Sequence, residues 1–168
     1  MVPAIILAAY RNTTGRLGRD QILTGMERGS AIAGGSCAFL GICGAAMGVG
    51  IAFSIIVRGD PYKAAERQKV QQATAEVLKA IGQHEAARCC QRDCWIALTE
   101  AARLSERYLG VRLRAEASAA CLQSAKNQES LGAACPLYED RRVDSEPHRP
   151  RSSEYQEDGH VVRSERTS

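Results

Sequence analysis

From Ala31 to Val57 the chain runs for 27 residues without a formal charge, longer than the roughly 20 apolar residues that cross a bilayer. Such a segment has two solutions. It is either the central, wrapped helix of a bundle or a single membrane span. Within Ala38–Val57 four positions are glycine (Gly41, Gly44, Gly48, Gly50) and four are alanine. Each glycine inside a soluble helix costs about 1 kcal/mol relative to alanine, so close packing must compensate. Gly44, Gly48 and Ala52 recur every four residues and form a smooth ridge, suited to close helix approach in water or in lipid. Arg28 lies before the segment and Arg58 and Lys63 after it, which gives no positive-inside asymmetry. The neighbouring helices have apolar faces that need a partner, and this segment is the best available, so the buried core helix is favoured over the span.

The remaining pattern is helical. Met1–Tyr10 is apolar, lacks a basic leader and meets Arg11 too early to span a bilayer, so it reads as a buried helix with Pro3 in its first turn. After a loop at Gly15–Gly18, Asp20 caps a second helix to about Ser30 with Ile22, Leu23 and Met26 inward. Asp60 and Pro61 open a helix to Ile81, in which Val70, Ala73, Val77, Leu78 and Ile81 repeat at helical spacing. Its charged face, including Glu76, reads as solvated. A further helix, Cys90–Leu109, carries Trp95, Leu98, Ala102 and Leu109 in register and stops at Gly110, and Ala115–Ala125 is helical in composition. The expected fold is all-α, five or six helices around the Gly-rich one. Residues 1–138 form the domain; beyond Tyr138 apolar content collapses and a disordered tail, 139–168, is expected.

The formal charge of +3 is unevenly divided. Residues 139–168 hold eight acidic and six basic side chains, leaving 11 acidic and 16 basic in the domain. The basic residues are dispersed without interleaved aromatics, which argues against nucleic acid as a partner.

Seven cysteines carry the chemistry. They fall as Cys37 and Cys43 in the Gly-rich stretch, Cys89, Cys90 and Cys94 in a cluster, and Cys121 and Cys135 alone. An odd count and a vicinal pair do not make a disulfide framework, so the thiols read as reduced and the protein as cytoplasmic. Cys89 and Cys90 start a helix beside Arg88 and Arg92, where backbone N–H groups and positive charge favour thiolate, hence reactivity or metal binding. Cys90 and Cys94 at spacing four share a helix face. Cys43 is flanked by Gly41 and Gly44, which admit a ligand or another backbone. Cys135, just before Pro136, is extended, a pose that presents a ligand from a loop. Packing of small apolar thiols is the competing explanation for each, and the one adopted for Cys37. No paired CxxC spacing marks a zinc ribbon. His84, the sole histidine before the tail, reads as a surface residue at a helix end.

Val2-Pro3-Ala4-Ile5-Ile6-Leu7-Ala8-Ala9, the run from Gly41 to Ile51 with Ser54-Ile55-Ile56, Arg88-Cys89-Cys90-Gln91-Arg92-Asp93, and Cys121 with Asn127 and Cys135-Pro136 together resemble an uncharacterised prokaryotic domain-of-unknown-function family. That family occurs in anaerobic bacteria and archaea, alone or attached to radical-SAM or methyltransferase-like domains. The resemblance covers residues 1–138. It implies that Cys43, Cys89, Cys90, Cys121 and Cys135 belong to the family pattern, with Cys37 and Cys94 peculiar to this chain. Family members often carry a cysteine near Ser130 and extra residues before Val2. The resulting expectation is a metal or iron–sulfur centre on those five thiols, zinc being the alternative, supported by Arg88, Arg92, Gly44 and Asn127. Such a centre would serve redox or one-carbon chemistry with a radical-SAM or methyltransferase-type partner. A cysteine-nucleophile enzyme using Cys43 or Cys89, and a single-span membrane protein, are the alternatives.

Overall fold

The structure is a computed structural model and describes residues 1–115 and 120–138. Among the described residues it is all-helical, with α1 (Val2–Thr14), α2 (Arg19–Ser30), α3 (Ser36–Phe39), α4 (Gly44–Val57), α5 (Ala64–Ile81) and α6 (Cys90–Leu109), then a single 3₁₀ turn at Gly132–Ala134. The tail expectation for 139–168 falls outside the described residues.

The uncharged stretch is not one helix. It is interrupted at Gly35 (φ 82°) and Gly41 (φ 67°), in the left-handed region that disfavours side chains. What remains helical is the short α3 and the 14-residue α4. No helix among the described residues is long and apolar enough to cross a membrane, which removes the single-span alternative for residues 31–57. Helix α4 instead lies in the middle, packed on α1, α2, α5 and α6. Small residues permit this. A Cβ on Gly48 would sit 2.9 Å from Cβ of Val2, and one on Gly50 would overlap Oγ1 of Thr74 on α5. The backbone of α4 thus approaches α1 at Gly48, on the expected ridge, and α5 at Gly50, which lies off that ridge. Phe53, Val49, Ala46 and Ala52 fill the remaining interior with Leu7, Val77, Ala97 and Leu104.

Three local expectations shift. On α2 the inward residue is Gly25, which faces Leu7 and Pro3; Leu23 and Met26 are exposed and only Ile22 packs on the core. Two glycines, Gly25 and Gly29, bring α2 against Pro3, so its larger side chains are turned out. Helix α5 starts at Ala64, three residues after Pro61. The Asp60 carboxylate accepts the N–H groups of Tyr62 (2.8 Å) and Lys63 (3.1 Å), closing a turn ahead of the helix. Ala120–Ala125 is turn and irregular backbone, not helix.

Helix α6 has the expected bounds but a rotated face. Buried are Asp93, Ala97, Ala101 and Ser105 at spacing four, with Arg92, Ile96, Leu104 and Tyr108 beside them; Trp95, Leu98, Ala102 and Leu109 border the core. The small side chains let α6 come close to α4 and α5, and Trp95, Leu98 and Leu109 cover the edges. Ser105 is fully buried: its Oγ donates to the carbonyl of Ala102 and accepts the N–H of Leu113, pinning the chain where it leaves the helix.

Glu76 of α5, expected to be solvated, joins the two helices. Its carboxylate accepts the Tyr108 hydroxyl (2.6 Å), Arg103 (3.2 Å) and Arg107 (3.4 Å) from α6. The Tyr108 hydrogen bond first, then the arginines, hold its pKa below the ordinary 4.5. A depressed carboxylate pKa adds stability that is fully present above the unfolded value and fades as pH falls through the folded one. Tyr108→Phe is therefore expected to lose about 1 kcal/mol at neutral pH. Urea titrations of wild type and variant from pH 7 downward should converge below pH 4.5; a difference that persists unchanged into acid would assign the loss to packing instead.

Candidate functional site

Three N-terminal helix ends and a loop enclose a cavity of about 350 Å³ lined by Met1, Val2 and Pro3 of α1, the 32–37 segment, Cys43–Ala45 and, from the start of α6, Arg88, Cys90, Asp93 and Cys94. Four thiols line it: Cys37, Cys43, Cys90 and Cys94. A second cavity of about 520 Å³ shares the wall formed by Cys37, Cys43, Arg88 and Asp93, and adds His84, Arg92 and the end of α5. His84, assigned to the surface, is half-buried and faces this second space.

Cys43 is the N-cap residue of α4 and is buried. Gly44 follows it as the first helical residue, exposed at the cavity edge. The Cys43 thiol makes a long contact, 3.9 Å, to Oδ2 of Asp93, in which the sulfur is the donor. Burial pushes its pKa up most. The N–H groups of Ala45 and Ala46 at the helix start pull the other way, and Asp93 and Cys37 add to the rise. Cys94 is also raised, by burial first and then by Cys90 and Cys43. Both of these thiols are thereby shifted toward the neutral form.

Arg92 turns to its neighbour Asp93. Its guanidinium is buried and donates through Nε (3.2 Å) and Nη2 (3.1 Å) to Oδ1 of Asp93, with a further bond to the Ala87 carbonyl. Adjacent residues of opposite sign thus neutralise one another inside the bundle. Asp93 divides its two oxygens, one to Arg92 and one to Cys43. Arg88 is exposed at the rim of both cavities.

The other thiols of the family pattern lie elsewhere. Cys89, the N-cap of α6, is half-buried and lines neither cavity. Cys121 and Cys135 are half-buried in the 120–138 segment, where the Cys121 N–H donates to the Leu137 carbonyl (2.7 Å) and Cys135 follows the 3₁₀ turn; neither lines the two cavities. Asn127 closes a turn there, its Oδ1 accepting the Glu129 N–H. Ser130 Oγ accepts the Gly132 N–H. Of the five thiols proposed from the family pattern, Cys43 and Cys90 share a cavity.

Cys37, Cys94 and Asp93 complete that cavity and were not singled out as site residues. The Cys90–Cys94 spacing was the signal for Cys94. For Asp93 the signal was an acid three and four residues before Ile96 and Ala97, on the apolar face of α6. As for an ion, the donors are chemically apt, but among the described residues no three His, Cys, Asp or Glu side chains are gathered closely enough to hold one.

The arrangement presents soft sulfur donors around a small, mostly apolar space, with one carboxylate in its wall and one cation at its rim. It suits a ligand that bonds to sulfur. Comparison with the curated proteins and with the solved structures gave no significant match. The profile of one family, described as a family of unknown function (DUF5714), matches residues 1–138, the whole of the described helical body. The chain therefore belongs to this DUF5714 family, whose description carries no activity.

Proposed function

We propose that the cavity between the starts of α4 and α6 binds a thiophilic centre, a zinc ion or an iron–sulfur cluster, through Cys43 and Cys90 with Cys37 and Cys94. The observation that carries the reading is the convergence of four thiols from three separate elements on one cavity of about 350 Å³. Soft thiolate donors select zinc and iron–sulfur centres over hard cations. The thiols must draw together and lose their protons on binding, so uptake is pH-dependent and releases protons. The centre would support redox or one-carbon chemistry in a reducing cytoplasm, with a radical-SAM or methyltransferase-type protein as the partner served; the family resemblance supports this part.

The test is anaerobic reconstitution of the full chain with Zn²⁺, or with iron and sulfide, followed by metal analysis and thiolate-to-metal absorption. Cys43→Ser and Cys90→Ser are expected to lower bound metal at least about tenfold, in line with loss of a ligand. Cys37→Ser and Cys94→Ser should do the same, and Cys89→Ser, Cys121→Ser and Cys135→Ser should not. Loss in the second group and not the first would return the ligand set to the family-pattern thiols. Failure of the wild-type chain to retain either centre would overturn the reading.

A further inference from the structure

The α3 segment is a closed loop whose neck brings two cysteines to one cavity wall. The carbonyl of Ser36 accepts the N–H of Leu40 (3.0 Å) and of Ile42 (3.1 Å), so the backbone returns to its start after six residues. Ser36 is itself buried and anchored, its Oγ donating to the Ala33 carbonyl at 2.6 Å. Cys37 and Cys43 each lie one residue beyond the two neck partners, Ser36 and Ile42, and both line the two cavities described above. Their proximity has a second sign: the Cys37 thiol is among the groups that act on Cys43. They differ in access. Cys37 is exposed and Cys43 is buried. The left-handed glycines Gly35, just before this loop, and Gly41, inside it, let the backbone turn.

We infer that Cys37 and Cys43 form a redox-active dithiol that exchanges with small-molecule or protein disulfides, Cys37 entering first and Cys43 closing. Exchange requires a sulfur that an incoming disulfide reaches, and a second sulfur held beside it but shielded. In the first step the Cys37 sulfur attacks one sulfur of the substrate disulfide, whose S–S bond breaks. The departing thiolate takes up the proton that Cys37 loses, and a mixed disulfide remains on Cys37. In the second, the Cys43 sulfur attacks the Cys37 sulfur, the mixed disulfide breaks, and the second substrate thiol leaves with the Cys43 proton. Two protein thiols are oxidised to one disulfide while the substrate disulfide is reduced to two thiols. The inference goes beyond the metal reading and does not rest on it, since the exchange needs no bound centre.

The full chain, reduced and stripped of metal with a chelator, would be incubated with oxidised glutathione, then alkylated, digested with trypsin and analysed by mass spectrometry. Cleavage after Arg28 and Arg58 releases one peptide, residues 29–58, that contains Cys37 and Cys43 and no other cysteine. It should be lighter by two hydrogens and unalkylated, with Cys89, Cys90, Cys94, Cys121 and Cys135 alkylated. Cys43→Ser should trap glutathione on Cys37. Cys37→Ser, a change at an exposed position that leaves the fold intact, should give neither the disulfide nor an adduct on Cys43. A 29–58 peptide alkylated at both cysteines after oxidation would overturn the inference without touching the metal reading, as would a disulfide that joins other cysteines. A stable glutathione adduct on Cys37 in the wild-type chain would equally show that Cys43 does not close.

Discussion

Asp93→Ala is expected to cost about 3–5 kcal/mol of folding stability, the loss typical of removing one partner of a buried ion pair. Arg92 and Asp93 are 4% and 7% exposed, so water does little to screen the charge left behind. The guanidinium would retain only its 3.4 Å bond to the Ala87 carbonyl. The isolated energy of the pair is a separate matter. Replacing both with apolar residues of similar volume, Arg92→Met with Asp93→Leu, is expected to leave stability close to wild type, because the desolvation of both charges is then avoided. Urea unfolding of the single and double variants reads the difference. A single variant within about 1 kcal/mol of wild type would show that the guanidinium finds water on truncation.

Phe53→Ala should be comparably severe, about 3–5 kcal/mol, because it removes the largest fully buried side chain and leaves a void. Its neighbours in the core include Ala46, Ala52, Ala73, Ala97 and Ala101. Alanines have no rotamers with which to relax into the space, so the site collapses poorly. The chain contains two phenylalanines, and the other supplies the control. Phe39 is 86% exposed on α3, and Phe39→Ala should stay within about 0.5 kcal/mol of wild type. Similar losses for the two would mean that Phe39 is covered in solution and that the α3 loop docks onto something.

The helices were legible wherever periodicity and termini agreed. Helix α6 begins at Cys90 and ends before Gly110 as the sequence indicates, and α5 keeps its Ala73, Val77, Ile81 face. Which face of a helix turns inward was less so, because this core selects for smallness. On α2 the inward residue is Gly25 while Leu23 and Met26 sit in water, and on α6 Ala97, Ala101 and Ser105 turn inward beside Ile96 and Leu104 while Trp95 and Leu98 sit at the edge. A reading that places bulk inside therefore rotates such a helix. The site was half legible for a related reason. Cys43 and Cys90 announced themselves by glycine and arginine neighbours and Cys94 by its spacing from Cys90, but the joining of Cys37 to them depends on a loop closing through one carbonyl, that of Ser36, which no spacing encodes. Asp93 was hidden by its neighbour: Arg-Asp in sequence reads as surface charge, and only burial turns it into a neutral unit.

The central position of α4 also sets an order of events during synthesis. When this helix first emerges, α1 and α2 have already been made, and they cover two of its sides. Its other partners, α5 and α6, are not complete until Leu109 has been made. For the time it takes to add some fifty residues, a few seconds at about 5–20 residues per second, the nascent chain therefore exposes Ala46, Val49 and Phe53-type surface with no cover of its own. The breaks at Gly35 and Gly41, just before α4, keep the exposed apolar rod to α4 alone, short of what a bilayer or its insertion machinery would accept as a span.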